Sequence, residues 1–284
     1  MSFILLSFVA AFPLIQLSQL LHSSDGSITV EKDHQYGPHP NHRLDVYCAE
    51  ELFDAPILIM IHGGGFHGGD KRTLRRLAAF FIECGFVIVA PNYRFAPEFT
   101  FPSQVEDIAC AVAWIQDRAK DYNADRSRLA FFGNSAGAYL GAMVAYDRDG
   151  DYCASCYSVG SGFDVIGFIG FAGEYDFDLL DGNSNAERAL LGDLFDPDLW
   201  GIAEPINYVS PHSSPALLIV GSEDTVVNPQ NSIDLASVLY ENHVYASLHV
   251  IQGYGHMGPL LNFYSNPEVQ VSVDWFVAGI LCQD

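Results

Sequence analysis

Ser135 stands in the string Gly133-Asn134-Ser135-Ala136-Gly137, where the apolar run from Leu129 to Phe132 gives way to small residues from Ala136 to Ala145. A G-x-S-x-G string between a strand and a helix suits a nucleophile elbow: a strained backbone exposes the hydroxyl, and the flanking glycines let strand and helix pass closely. A serine becomes a nucleophile only beside a base that takes its proton, and the base needs an acid to orient it. His256 fits the base, because it follows an apolar run inside a glycine-bracketed loop, Gly253-Tyr254-Gly255-His256. His243, His249 and His212 read as structural or surface residues. Asp224 fits the acid, lying just past Leu217 to Gly221. Asp176 is the runner-up, and Glu223 is weaker because a neighbour of Asp224 points elsewhere. The chain order Ser135, Asp224, His256 matches one known arrangement of a serine–histidine–acid triad.

Acyl transfer also requires donors for a developing oxyanion. In HGGGFHGGD, His62 to Asp70, three successive glycines follow an apolar run. Their flexibility allows the N–H groups of Gly64 and Gly65 to converge with that of Ala136. A phosphate cradle would end in G-K-[ST], and this loop does not. His62 is expected to brace the loop by hydrogen bonds. Phe66, His67, Tyr175, Trp200, Tyr254 and Met257 flank these loops and could line an acyl or alcohol pocket, although aromatic residues in such places often only pack. If they line it, a short-chain or aryl ester fits better than a long lipid.

Such loops need a scaffold. Short apolar runs alternate with helix-like stretches, which predicts an α/β fold around a mostly parallel sheet covered on both faces. SITVEKD and RLDVYCA read as early strands, antiparallel at one edge. PILIMI, FVIVAP, VIGFIGF, ALLIVG and SLHVI read as further strands. Helices are expected over TLRRLAAFFIEC, over QVEDIACAVAWIQDRAKDY with Val105, Ile108, Val112 and Ile115 on one face, and over VQVSVDWFVAGIL. Each candidate residue falls where a strand ends, at the carboxyl edge where sites form in open α/β sheets. Residues 28–284 read as one catalytic domain with small cap elements around 174–205. Residues 1–27 are apolar yet hold no Lys or Arg, so they read equally as a signal peptide or a packed helix. Pro13, Gln16 and Gln19 make them a poor membrane span.

The chain has 284 residues and a formal charge of −22, which argues against nucleic acid or anionic membranes as partners; it mildly favours neutral or cationic substrates, but a generally acidic surface adapted to salt is the stronger reading. Six cysteines are too few and scattered for a disulfide scaffold. Cys153 and Cys156 form one C-x-x-C, read as a local disulfide or two thiols rather than a zinc site. Cys84 and Cys110 are expected to pack as small hydrophobes. No metal or cofactor is called for. The cellular compartment, soluble cytoplasm or secretion, hangs on residues 1–27. The oligomeric state is left open, a homodimer being one reading.

HGGGFHGGDKR, PNYRFAPEFTFPSQVEDIACAVAWI, GNSAGA, SED and GYGHMG together resemble the hormone-sensitive-lipase-like carboxylesterases of the α/β-hydrolase superfamily, near the small carboxylesterase and arylformamidase-like branch. The resemblance runs from about residue 28 to the C-terminus. It implies an α/β-hydrolase fold of about eight strands with helices on both faces, and cleavage of carboxylic esters through an acyl-serine. It also implies that Tyr93 and Arg94 support the oxyanion loop. Asn134 departs from the Asp this family often carries before the nucleophile. Two rival readings stand beside the ester hydrolase: an arylformamidase-like amide hydrolase, and a catalytically silent hydrolase fold used for binding.

Overall fold

The computed structural model describes residues 28–147, 164–177, 185–192 and 197–281. Eight strands form one sheet: β1 (Ile28–Gln35), β2 (Arg43–Ala49), β3 (Ala55–Ile61), β4 (Val87–Pro91), β5 (Ala124–Asn134), β6 (Asp164–Phe171), β7 (Ala216–Gly221) and β8 (Ala246–Ile251). Their order is β1-β2-β4-β3-β5-β6-β7-β8. β1 and β2 pair antiparallel, as do β2 and β4, whereas every later pairing is parallel. Every residue of β3, β4 and β7 is buried, as expected of strands covered on both faces. β1 is largely exposed, and its charged residues blunt an open edge.

Alternation along β3 sorts its side chains into two cores. Ile57, Ile59 and Ile61 face one, while Leu58 and Met60 face the other. The first core is covered by α2 (Ser103–Arg118), α3 (Ala136–Tyr146) and α6 (Gln230–Glu241), through Val105, Ile108, Leu140 and Leu235. The second is covered by α1 (Arg75–Glu83) and α8 (Pro267–Leu281), through Leu77, Phe81, Val269 and Val273. Between β6 and β7 lie α4 (Asn185–Leu191) and α5 (Pro197–Ala203), and α7 (Gly258–Leu261) follows β8.

The expected α/β architecture, the eight strands and the antiparallel start are all present. The helix expected to run to Tyr122 ends at Arg118, and a 3-10 turn, Ala119–Tyr122, continues it before Asn123 adopts the left-handed conformation. Cys84 is a buried free thiol whose pKa burial pushes up to about 12. Cys110 is a correction, because it is disulfide-bonded rather than a free packing residue. Residues 1–27, Cys153 and Cys156 lie outside the described residues. Among those described, no helix is long and apolar enough to cross a membrane.

Candidate active site

β5 delivers Ser135 to the carboxyl edge of the sheet, and α3 starts at the next residue. Ser135 takes φ 52° and ψ −129°, a conformation non-glycine residues rarely adopt. Hydrogen bonds on both sides hold it there. Its N–H donates to the Phe171 carbonyl on β6 at 2.8 Å, and its carbonyl accepts from the N–H groups of Ala138 at 2.8 Å and Tyr139 at 3.1 Å. The turn needs glycine at two points. A Cβ on Gly133 would lie 2.2 Å from the Gly137 carbonyl oxygen, and one on Gly137 would lie 2.2 Å from that of Ile61.

Asp224 and His256 leave the ends of the neighbouring strands β7 and β8. His256 Nδ1 lies 2.7 Å from Asp224 Oδ2, and the Asp224 side chain is fully buried. The other carboxylate oxygen accepts from the N–H groups of Val226 at 2.9 Å and Val227 at 3.0 Å. A carboxylate at Oδ2 requires the hydrogen on Nδ1, which leaves Nε2 with its lone pair. The two loops are tied directly. Glu223 N–H donates to the Tyr254 carbonyl at 2.9 Å, and Gly253 N–H donates to Ser222 Oγ at 3.0 Å. Glu223 is therefore held by its backbone while Asp224 faces the imidazole. Asp176 N–H donates to Asn231 Oδ1 at 2.9 Å, and the acid bonded to His256 is Asp224. The remaining candidate bases lie elsewhere: His212 and His243 are exposed, and His249 bonds to Ser247 and Ser272.

The glycine loop reaches the same edge from β3. Gly63 N–H donates to Asn134 Oδ1 at 3.2 Å, and a Cβ on Gly63 would lie 3.2 Å from the Ser135 Cβ. Gly64 and Gly65 both have positive φ, which glycine adopts without cost. Among the described residues, none of the N–H groups of Gly64, Gly65 and Ala136 has an acceptor. Backbone donors without partners beside a strained serine are what an oxyanion site requires. His62 braces the loop as expected: Nδ1 lies 2.8 Å from the Gly63 carbonyl, and the ring stacks on Tyr93 at 4.5 Å. Burial holds the His62 pKa below the usual imidazole value. Tyr93 donates to the His62 carbonyl at 2.9 Å and so is tied to the loop, while Arg94 is bound to Asp107 on α2 at 2.6 Å.

The aromatic flank divides differently from the expectation. Phe66 and Tyr175 are fully buried core residues and not pocket walls. Phe66 has φ 65°, which turns its ring inward onto Tyr139, edge to face at 5.2 Å, and leaves the next residue, His67, exposed. Tyr175 packs on Phe168 at 6.1 Å. Trp200, Tyr254 and Met257 are half-buried. Asn231 escaped the sequence reading, yet its Oδ1 accepts from both Tyr175 and Asp176 and so fixes the loop after β6. No local pattern marks an asparagine for that task.

A mostly parallel eight-stranded sheet, a positive-φ serine between β5 and α3, and an acid–imidazole pair after β7 and β8 define an α/β-hydrolase fold. The family model described as BD-FAE matches residues 44–239, and the chain belongs to that family. Among curated relatives, it is 30% identical over 210 residues to "Esterase LipC" of Mycobacterium tuberculosis (strain ATCC 25618 / H37Rv), covering 68% of this chain and 50% of that one. To "Probable carboxylic ester hydrolase LipM" of the same organism it is 27% identical over 275 residues, 91% of this chain and 62% of that one. The chain thus spans about half to three-fifths of the length of these relatives. Of solved structures, "Truncated form of carbohydrate esterase from gut microbiota" superposes with a TM-score of 0.79 at 22% identity, covering 89% of this chain and 96% of that one.

Proposed function

We propose that the protein is a serine hydrolase of small carboxylic esters, short-chain or aryl, working through an acyl-serine. The observation that carries this reading is the 2.7 Å bond from His256 Nδ1 to buried Asp224, on a loop adjoining the Ser135 elbow. The esterase names of the mycobacterial relatives support it. As Ser135 Oγ attacks the ester carbonyl carbon, His256 Nε2 takes the hydroxyl proton and Asp224 stabilises the imidazolium. The carbonyl π electrons move onto oxygen, and the N–H groups of Gly64, Gly65 and Ala136 donate hydrogen bonds to that oxyanion. Collapse breaks the bond to the alkoxy oxygen, and His256 returns the proton to the leaving alcohol. Water, deprotonated by His256, then releases the acid by the same steps in reverse.

Residues 28–284 form the catalytic domain in this reading, with α4 and α5 as a small cap. Tyr139 OH donates to the Ala203 carbonyl at 2.8 Å, seating the end of α5 on the nucleophile's own helix. The disulfide at Cys110 favours the secreted of the two compartments. The test is labelling with an organophosphonate followed by mass analysis, beside a chain-length series of p-nitrophenyl esters and N-formylkynurenine. An adduct on Ser135 and fastest turnover of short or aryl esters are expected. Faster turnover of the formamide would replace the ester reading with an amide one, and a folded protein without an adduct would point to a silent binding module.

A further inference from the structure

We propose that Asn134 is a positioning residue that holds the oxyanion glycines and the histidine loop in register around Ser135. This role rests on Ser135 being the nucleophile. Asn134 is 5% exposed and its amide spends both ends on catalytic loops. Oδ1 accepts from Gly63 N–H at 3.2 Å, on the loop that carries Gly64 and Gly65. Nδ2 donates to Met257 Sδ at 3.7 Å, on the loop that carries His256. The orientation of the amide is fixed by Gly63, because a backbone N–H facing Nδ2 would set donor against donor. There is no slack around it: a Cβ on Gly63 would come within 2.6 Å of Nδ2.

The elements that carry the nucleophile, the base and the oxyanion donors leave three different strands, β5, β8 and β3. Asn134, next to the nucleophile in the chain, bonds to both of the other two. A thioether is a weak acceptor, but in a site sheltered from water the bond competes with little else. Chemistry makes the choice of amide specific. A carboxylate at 134 could still accept from Gly63, but Met257 has no hydrogen to offer it, and the link to the histidine loop would be lost. An aliphatic side chain would lose both links. Misplacement of catalytic groups by about 1 Å can cost on the order of a hundredfold in rate without weakening substrate binding.

The experiment compares Asn134→Asp, Asn134→Leu, Met257→Leu and the double variant Asn134→Asp with Met257→Leu, each read by kcat and KM for p-nitrophenyl acetate and by thermal midpoint. Asn134→Asp should lower kcat about tenfold and Asn134→Leu about a hundredfold, with KM within about twofold of wild type. The double variant should be no slower than Asn134→Asp alone, because both changes delete the same bond. Wild-type kcat in Asn134→Asp, or losses that simply multiply in the double variant, would overturn the proposal. So would a fall in kcat matched by a rise in KM and a collapse of the thermal midpoint, the signature of a loosened fold. If Asn134→Leu fails to fold, Asn134→Asp and Met257→Leu carry the comparison. Organophosphonate labelling of the wild type separates the two levels: no adduct on Ser135 removes the nucleophile and the role of Asn134 together, whereas a normal adduct with an indifferent Asn134→Asp removes the positioning role alone.

Discussion

At Asp224 one carboxylate oxygen meets His256 while the other is saturated by two backbone N–H groups. The carboxylate is therefore locked in orientation as well as in place, and it fixes which imidazole nitrogen carries hydrogen. Asp224→Asn should present an amide that can bond the wrong tautomer, lowering kcat by on the order of ten-thousandfold. Asp176→Asn should cost far less; steady-state kinetics on one ester checks the ranking, and the reverse order would move the acid role to Asp176. Gly63 makes a second prediction. A methyl group there would lie 2.6 Å from Asn134 Nδ2 and 2.7 Å from the Asn134 carbonyl oxygen, so Gly63→Ala must push the glycine loop off the elbow. We expect a loss in kcat of about a hundredfold, measured with p-nitrophenyl acetate. The placement of Ser135, Asp224, His256 and the glycine loop just past strand ends was legible because apolar runs stop there. The inward turn of Phe66 was not, because a single positive φ there accompanies a ring in the core and an exposed His67 beside it.

The strand–turn–helix unit of β5 and α3 is the element on which the site depends. All eleven residues of α3 are buried, and its first turn lies so close to the end of β3 that no Cβ would fit at Gly137. Gly137→Ala would set a Cβ 2.2 Å from the Ile61 carbonyl oxygen and 2.6 Å from that of His62, both backbone atoms that cannot rotate away. Overpacking of this kind typically costs about 1–3 kcal/mol. The expected outcome is a lower thermal midpoint together with a loss of Ser135 labelling, measured on the same sample. Loss of stability with labelling intact would mean that α3 can withdraw without disturbing the elbow. The ends of β3 and β4 could be read closely because their continuous apolar runs stop at the polar residues His62 and Asn92. The end of α2 could not, since the sequence continues with good helix formers and the stop comes from a left-handed Asn123.

Across the whole molecule, buried charge pairs fasten the chain's first strands and turns to the sheet. Lys71, with its side chain 5% exposed, bonds Asp45 at 2.6 Å and Asp33 at 2.8 Å, joining the turn after the glycine loop to β1 and β2. Asp107, 1% exposed, meets Arg94 at 2.6 Å and His42 at 2.9 Å. Burial alone would raise the Asp107 pKa, but the His42 ring beside it and the hydrogen bonds from Arg94 more than offset this and hold the carboxyl below its usual range. A carboxyl depressed in the folded state binds its proton more readily when unfolded. Its stabilisation is thus fully present above about pH 4 and is lost as pH falls through the lower folded value. Asp107→Asn should destabilise the protein by about 3 kcal/mol at neutral pH, leaving Arg94 and His42 without their anion. Thermal melts of both proteins from pH 7 downward should show the gap narrowing below about pH 4, and a gap that stays constant would remove Asp107 from the acid response.

From residue types and their order alone came the layered α/β plan, the strand–turn–helix at Ser135, the glycine loop after β3 and the pairing of Asp224 with His256. Those features follow from periodicity and from chemical requirement, both of which are local. Contact decided the rest: which aromatic rings enter the core, that Cys110 is cross-linked, that His42 and Arg94 share one carboxylate, and that the amide of Asn134 spans two loops. The pairing of Asn134 with Gly63 and Met257 joins residues far apart in the chain, and it is set by packing in three dimensions, where sequence distance carries no weight.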